Sequence, residues 1–382
     1  MSDFFEKVAN LIEQARKYVG RTADLTMCVT YFEVGRMIVE EEQSGEARAK
    51  YGQKLLTELS NRLKKRFEKG FSETTLKYSR KFYMVYAPSI QQAMLAKLTD
   101  EKQQTLFAES TNPIRQAMLA ELENNNKNQN IPILPIDLYP FKLSWTHYLI
   151  LMRIKDDQER RFYEIEAINQ QWDYRFLQRQ YGSSLYERLA LSRNKEEILR
   201  LANEGQTIEK PRDMLKNPLV LEYLGLDEST DYSESDLETA IISKLSLFLL
   251  EMGKGFLFEA RQKRFTFDEK SFFVDLVLYN RILDCYVIID LKTDDLKHQD
   301  LGQMQMYVNY FDRYVKTEKE NPTVGILLCK EKNDNIVELT LPENSNIYAS
   351  EYSLYLPDKE LLQRKLAEWV EEFEYKNNES GE

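Results

Sequence analysis

At 382 residues the chain exceeds what one compact core usually holds, so two domains are expected. Apolar residues at 42% and aromatics at 12% exclude a disordered protein, and no apolar run reaches the roughly 18 residues that a membrane span needs. The net charge of −11 runs against a uniform phosphate-binding surface, but charge is segregated: Asn61 to Lys81 carries eight Lys or Arg against two Glu, and Glu368 to Glu382 is strongly acidic.

The first residues, Met1-Ser2-Asp3-Phe4-Phe5-Glu6-Lys7, have neither a basic n-region nor a cleavage site. Cys28, Cys285 and Cys329 lie far apart with no paired spacing, which excludes a zinc ribbon or a disulfide scaffold and suits a reducing compartment. A cytoplasmic protein is the expectation. Phe4, Phe5, Val8, Leu11, Ile12, Ala15 and Val19 then recur at helical spacing. Leu25, Val29, Phe32 and Val39 extend the pattern into a second helix, and Leu55, Leu56, Leu59, Leu63 and Phe67 mark a third. Gly70 suits the stop after that helix, Ser72 the N-cap of the next, which should run to about Tyr86 and end at Pro88.

Helix, glycine-containing turn and a helix with Thr74, Thr75, Lys77, Arg80 and Lys81 near its start resemble a helix-turn-helix. An ordinary αα-hairpin would show the same pattern, with Arg62, Lys64, Lys65, Arg66 and Lys69 as a solvated helix face. Residues from about 109 to 142 read as a loop, with an Asn-rich run and Pro113, Pro132, Pro135 and Pro140. Ser144 is a candidate cap for the helix that follows. Arg160, Arg161, Phe162, Tyr163, Trp172, Arg175, Arg179 and Tyr181 interleave cations with aromatics, which fits phosphate gripping and base stacking, or simply packing of these groups on one another. Only two histidines occur, His147 and His298, so histidine-based phosphodiester chemistry has almost nothing to work with.

The boundary between halves falls near Glu204 to Pro218, giving a helical domain at 1–205, a linker with a short helix over Asp213 to Glu222 at 206–232, a second domain at 233–370 and an acidic tail at 371–382. Ser233 or Ser235 caps a helix through Met252, closed by Gly253 and Gly255. Three strands follow, Phe256 to Phe267, Ser271 to Asn280 and Cys285 to Thr293, the last two joined as a hairpin. A helix over Leu301 to Val315 and a strand over Thr323 to Lys330 complete an α-β-β-β-α-β order.

On the third strand Asp290 and Lys292 share a face with Ile288, while Val287, Ile289 and Leu291 take the other. Charges in so apolar a strand cost several kcal/mol, roughly, unless paired or coordinated. A suitable hairpin register brings Asp275 beside Asp290, and two adjacent carboxylates repel unless a proton or a cation intervenes. Hard oxygen ligands favour Mg²⁺ or Mn²⁺ over zinc, and Lys292 stands where it could offset charge on an attacking hydroxide or a phosphorane. A buried ion-pair network is the alternative reading of the trio.

An Asp followed about fifteen residues later by Asp-x-Lys, with Gln303 and Tyr307 on the next helix as Gln-x-x-x-Tyr, resembles the PD-(D/E)xK nuclease superfamily. The whole chain resembles its bacterial YhcG-like branch, through Tyr31 to Arg36, Leu143 to His147, Leu237-Glu238, Gly253 to Phe256, Asp275 to Val277 and Gly302 to Met304. Val274 stands where the superfamily pattern has proline. The resemblance implies an α+β multidomain protein: an all-helical N-terminal domain thought to bind DNA, then a restriction-endonuclease-like core. It implies that Asp275, Asp290 and the Leu291 carbonyl hold the metal, that Lys292 orients or helps activate water, and that Glu238 is a further acid at the metal. Gln303 and Tyr307 would brace the site or meet the substrate backbone, with Gln262 a weaker candidate. Lys77, Arg80, Lys81, Arg175 and Arg179 are the DNA-contact candidates. The implied activity is Mg²⁺- or Mn²⁺-dependent cleavage of nucleic acid, DNA favoured, without a membrane; a homodimer stays open. A nucleic-acid-binding scaffold without turnover and an RNA-directed nuclease are the competing readings.

Overall fold

The computed structural model describes residues 2–44, 50–67, 70–105, 139–191, 193, 195–226, 232–332, 334–342 and 345–364. Most of the expected loop at 109–142 and the acidic tail at 371–382 lie outside these residues. The chain divides into two compact units, Met1–Asp156 and Asp157–Glu382.

In the first unit the two helices expected at the start are one, α1 (Ser2–Ser44), followed by α2 (Lys50–Phe67), α3 (Glu73–Thr105) and α4 (Trp145–Leu151). The apolar stripe from Phe4 to Val39 needs no break, and no proline or glycine pair interrupts it. Ser72 does cap α3, its Oγ accepting from the Thr75 amide at 3.1 Å. Pro88 does not end α3, which continues to Thr105. Pro88 and Met84, the residue one turn back whose carbonyl a proline cannot serve, are both exposed, so solvent can meet that carbonyl. Phe32, Phe82, Tyr86, Phe141 and Tyr148 form a tilted and edge-to-face aromatic core. Gly35 lets α1 approach α3, since a Cβ there would lie 2.0 Å from the Ser79 carbonyl oxygen.

The second unit opens with α5 (Asp157–Asn169), α6 (Tyr174–Gly182), α7 (Leu185–Ala190) and α8 (Lys195–Glu204). The short helix expected over 213–222 is replaced by 3-10 turns at Pro211–Met214 and Glu222–Leu224 around a two-residue strand, β1 (Leu219–Val220). Pro218, which has no amide hydrogen, stands inside the expected helix. Next come α9 (Glu234–Ser243) and α10 (Leu245–Met252), expected as one helix but broken at Lys244, whose φ of −123° is not helical. The N-cap at Ser233 is as expected, accepting from the Asp236 amide at 3.2 Å.

Strands β2 (Phe256–Phe267), β3 (Lys270–Asn280) and β4 (Cys285–Leu291) are followed by α11 (His298–Tyr310), a π-helical turn (Phe311–Val315), β5 (Val324–Cys329), α12 (Asp334–Thr340) and β6 (Ile347–Ser353). The sheet order is β1-β6-β5-β4-β3-β2, antiparallel across β2, β3 and β4 and parallel across the other pairs. Strand β4 is central and every residue of it except Tyr286 is buried. Val287, Ile289 and Leu291 pack with Leu237 and Ile241 of α9 and Phe248 of α10, and Ile288 packs on the other face with Leu301, Met304 and Val308 of α11. Gly325 on β5 lets α11 close onto the sheet, because a Cβ there would meet Met304 Cγ at 2.7 Å.

Compactness places the division after Asp156, not at the expected 205/206. Buried charge explains the difference. Arg188 of α7 donates to Glu251 of α10 at 2.6 Å, with both side chains fully buried. Arg179 of α6 reaches Glu251 at 3.3 Å and Glu222 at 3.1 Å, and Lys254 pairs with Glu166 of α5 at 2.9 Å. Arg179, expected as a DNA contact, is therefore committed to this network. Burial alone would raise the Glu251 carboxyl, but Arg188, Lys216 and Arg179 outweigh it and hold it at about 2, below its ordinary 4.5. A carboxyl lowered on folding contributes stability that is present above its unfolded value and lost as the pH falls through the folded one. Stability should accordingly decline between about pH 4.5 and 2. In denaturant titrations at neutral pH, Glu251→Ala should cost roughly 3–5 kcal/mol, because Arg188 is left buried without a counter-charge, its remaining partners being the neutral oxygens of Ser183 and Pro218. A decrease below about 1 kcal/mol would mean that the network does not hold the helices to the sheet.

Candidate active site

The β3–β4 ladder pairs Leu276 with Ile289 and stops there, one step before Asp275 and Asp290. At that step the Asp275 side chain takes over from the backbone, its Oδ2 accepting from the Leu291 amide at 2.8 Å. The expected register is thus present, and both acids stand at the end of the strand pair. Asp290 is only 3% exposed.

Two linked clusters form around them. Gln262 of β2 donates through Nε2 to Glu238 Oε2 at 2.7 Å and to Asp275 Oδ1 at 3.0 Å, tying α9 to β3. Lys292, just past β4, lies 2.7 Å from Asp290 Oδ2 and 3.6 Å from Glu234 Oε1. Gln303 donates to the Tyr307 hydroxyl, one turn apart on α11. Burial raises the Tyr307 phenol, and the charges of Asp290 and Asp275 raise it further. All of Glu238, Asp275, Asp290, Lys292, Gln303 and Tyr307 are accounted for within this one region.

Electrostatically the site is short of positive charge. Burial pushes the Asp290 carboxyl up to about 6, and Asp275 and Glu234 act in the same direction, against Lys292. Burial would lower the Lys292 ammonium, but Asp290, Glu234 and Asp275 outweigh it and raise its pKa. Asp290 Oδ2 and Glu238 Oε1 are buried without a hydrogen bond from any described residue. Each has a cation beside it, the Lys292 ammonium 2.7 Å from Asp290 Oδ2 and Arg261 Nε 3.5 Å from Glu238 Oε1. Four acids against two cations still leave surplus negative charge, and hard oxygen donors of this kind suit a divalent cation such as Mg²⁺ or Mn²⁺. Among the described residues no three His, Cys, Asp or Glu side chains are grouped closely enough to enclose a metal alone, so a cation here would also draw on backbone carbonyl oxygen and water.

Two residues matter more than their sequence signal suggested. Glu234 lies one turn before Glu238 on α9, a spacing that marks a shared face. Gln262, a minor candidate by sequence, has a φ of +45° within a strand. Such backbone is unfavourable for a non-glycine residue by about 1–2 kcal/mol, and it occurs where one amide must meet two carboxylates. A glutamine in a strand carries no pattern that announces this.

The DNA-contact candidates lie on helices of both units. In the first unit Lys77 and Lys81 are exposed on α3, and Arg80 is held by Glu42 of α1 at 2.6 Å. Arg175 is exposed on α6. Phe162 and Tyr163 are fully buried and pack edge-on at 5.1 Å, so these aromatics belong to the core and not to a stacking surface.

Residues 212–367 match the YhcG PDDEXK nuclease domain, and residues 7–188 match the DUF1016 N-terminal domain. The helices from 157 to 188 thus share a family segment with the first unit while packing in the second. The chain is 36% identical over 361 residues to the Escherichia coli (strain K12) protein named "Putative nuclease YhcG", covering 94% of this chain and 92% of that protein. Among solved structures it is similar to a repair endonuclease from Pyrococcus abyssi, at 22% identity and a TM-score of 0.23 over 34% of this chain and 50% of that one. The apo form of EndoMS gives 17% identity and a TM-score of 0.23, over 34% of this chain and 49% of that one. The chain belongs to the YhcG family, with a DUF1016 N-terminal domain followed by a PD-(D/E)xK nuclease domain.

Proposed function

We propose that the chain is a metal-dependent nuclease that hydrolyses phosphodiester bonds in DNA. The observation that carries this reading is the excess of acid at one strand end: among the described residues, Glu234, Glu238, Asp275 and Asp290 stand together against only Lys292 and Arg261. Asp275, Asp290 and the Leu291 carbonyl would hold Mg²⁺ or Mn²⁺, with Glu238 contributing directly or through water. The metal, when bound, supplies Lewis-acid stabilisation and lowers the pKa of a bound water. The protein's own residues do the remaining work. Lys292, kept as an ammonium between Asp290 and Glu234, offsets negative charge that develops on the attacked phosphate. Gln262 fixes the directions of the Glu238 and Asp275 carboxylates, and the Gln303–Tyr307 pair braces the α11 side and offers polar groups to the substrate backbone.

The helical unit would position the substrate, with the α2–α3 pair acting as a helix-turn-helix through Lys77 and Lys81. Charge supports this use of the first unit, since Arg62, Lys64, Lys65 and Arg66 fall on α2 and Lys77, Arg80 and Lys81 on α3. Three free, buried cysteines fit a cytoplasmic setting. Among the described residues no helix is long and apolar enough to cross a membrane.

Purified protein incubated with labelled duplex, single-stranded and branched DNA, and with RNA, should cut DNA with Mg²⁺ or Mn²⁺ and not with EDTA. Asp290→Ala should lower the rate by at least about 10²–10³-fold. Gln262→Gly, which relieves the positive φ but frees the Glu238 and Asp275 carboxylates, should slow the reaction roughly 10–100-fold. Binding without any cleavage, equal in wild type and Asp290→Ala, would favour a scaffold; cleavage of RNA alone would redirect the substrate.

In binding titrations across salt concentrations, Lys77→Ala with Lys81→Ala should weaken DNA binding. The slope of log affinity against log salt should flatten by about 1 for each phosphate that the protein no longer neutralises. An unchanged slope would reduce the α2–α3 pair to architecture.

A further inference from the structure

A cleft of about 310 Å³ lies between the end of β2 and the outer side of α11, lined by Phe265, Phe267, Gln305, Asn309, Tyr310 and Tyr314, with Gly302 at its edge. It belongs to none of the residues assigned to the chemistry, yet a row of rings joins it to them. Tyr307 meets Phe265 edge-on at 5.6 Å, Phe265 stacks on Tyr310 at 4.0 Å, Tyr310 meets Tyr314 at 5.3 Å, and Tyr314 faces Phe267 at 6.5 Å. The row begins beside the candidate active site and ends on Phe267 and Tyr314, which are 53% and 63% exposed.

We propose that this cleft is a base-stacking subsite that receives one unpaired nucleobase of the strand held at the Asp275–Asp290 site. The inference rests on the nuclease reading for its substrate class. Its chemistry comes from the cleft. Exposed rings offer a face to any base, whatever its identity. Between them stand two side-chain amides, Gln305 donating to Asn309 at 3.2 Å, and amides supply both the donors and the acceptors that a base edge requires. Arg313, also at the cleft and exposed, adds a cation for the adjoining phosphate. A groove for an apolar protein segment would be lined mainly by aliphatic side chains, whereas Met306 is the one aliphatic side chain among the described lining residues.

Two backbone features keep the cleft open. Arg313 and Tyr314 lie on the π-helical turn Phe311–Val315, so their directions depart from the α-helical stripe of α11; such turns are frequent at functional sites. At Gly302 no atom lies within 4 Å of where a Cβ would stand. A duplex keeps its bases stacked and paired, so a subsite of this kind favours single-stranded or branched substrates, or a base extruded from the helix.

The test is fluorescence anisotropy with the full chain in EDTA, using a labelled single-stranded oligonucleotide, the same strand with abasic sites, and the duplex. Wild type should bind the strand with intact bases roughly tenfold more tightly than the abasic one. Phe267→Ala and Tyr314→Ala, both at exposed positions, should each remove most of that difference. Gly302→Leu, whose Cβ meets no atom within 4 Å and whose side chain would occupy the cleft, should do the same with unchanged circular dichroism. Equal affinity for intact and abasic strands in wild type, or a base preference untouched in all three variants, overturns the proposal. So does a sedimentation profile in which the variants dissociate a dimer while nucleic-acid binding is unaltered, since a second copy of the chain would then be the occupant. Failure of the nuclease reading looks different: base-dependent binding with no cleavage under any metal removes the enzyme and leaves the subsite. Cleavage that proceeds identically in the three variants, without base-dependent binding, does the reverse.

Discussion

The structure of the second unit turns on the cost of burying the Asp290 carboxylate at the end of a central strand. An apolar strand flanked by sheet neighbours and covered by helices on both faces is the worst place for an ionised group, and the upward shift of Asp290 to about 6 expresses that cost. Much of the surrounding arrangement follows from it. The β3–β4 ladder opens at that step, Asp275 replaces a backbone acceptor, Lys292 approaches from beyond the strand end, and Gln262 adopts a strained backbone to reach two carboxylates at once. Even so, the acids Glu234, Glu238, Asp275 and Asp290 outnumber the cations Lys292 and Arg261 around them.

A second buried acid in the same unit shows the opposite solution. Glu251 is as deeply buried as Asp290, but Arg188, Arg179 and Lys216 surround it, and its carboxyl is pulled down to about 2 where that of Asp290 is pushed up. Equal burial with opposite shifts separates two roles. Around Glu251 charge is satisfied, and the result is mechanical: helices from 157 to 204 are fastened to the sheet half. Around Asp290 charge is left wanting, which destabilises the isolated protein and favours a ligand that brings positive charge. The aromatic row from Tyr307 to Phe267 and Tyr314 leads outward from that charge to exposed rings.

Much of the catalytic unit was legible in the sequence because its signals are local. The hairpin of β3 and β4 follows from two apolar runs and a short polar turn, and the register that sets Asp275 opposite Asp290 follows from the length of that turn. Charges inside those runs stand out for the same reason. What was not legible depends on partners distant in the chain. Nothing local shows that Arg179 of α6 is claimed by Glu222 and Glu251, more than forty residues away, so it read as a free cation near aromatics. Lys244 breaks a helix that periodicity alone would carry straight through to Met252, and its ammonium bonds to the Leu224 carbonyl oxygen at 3.2 Å. Pro88 shows the converse, a strong local breaker overridden where an exposed helix can solvate the carbonyl left over.

The surplus negative charge at Asp290 and Asp275 would be balanced by a divalent cation. Anomalous diffraction from crystals soaked in Mn²⁺ tests it most directly. A single strong peak between the two carboxylates, within about 2.0–2.4 Å of their oxygens and absent in Asp290→Asn, is the result the account predicts. Crystals with no peak at that position, or with Mn²⁺ bound only elsewhere, would contradict it.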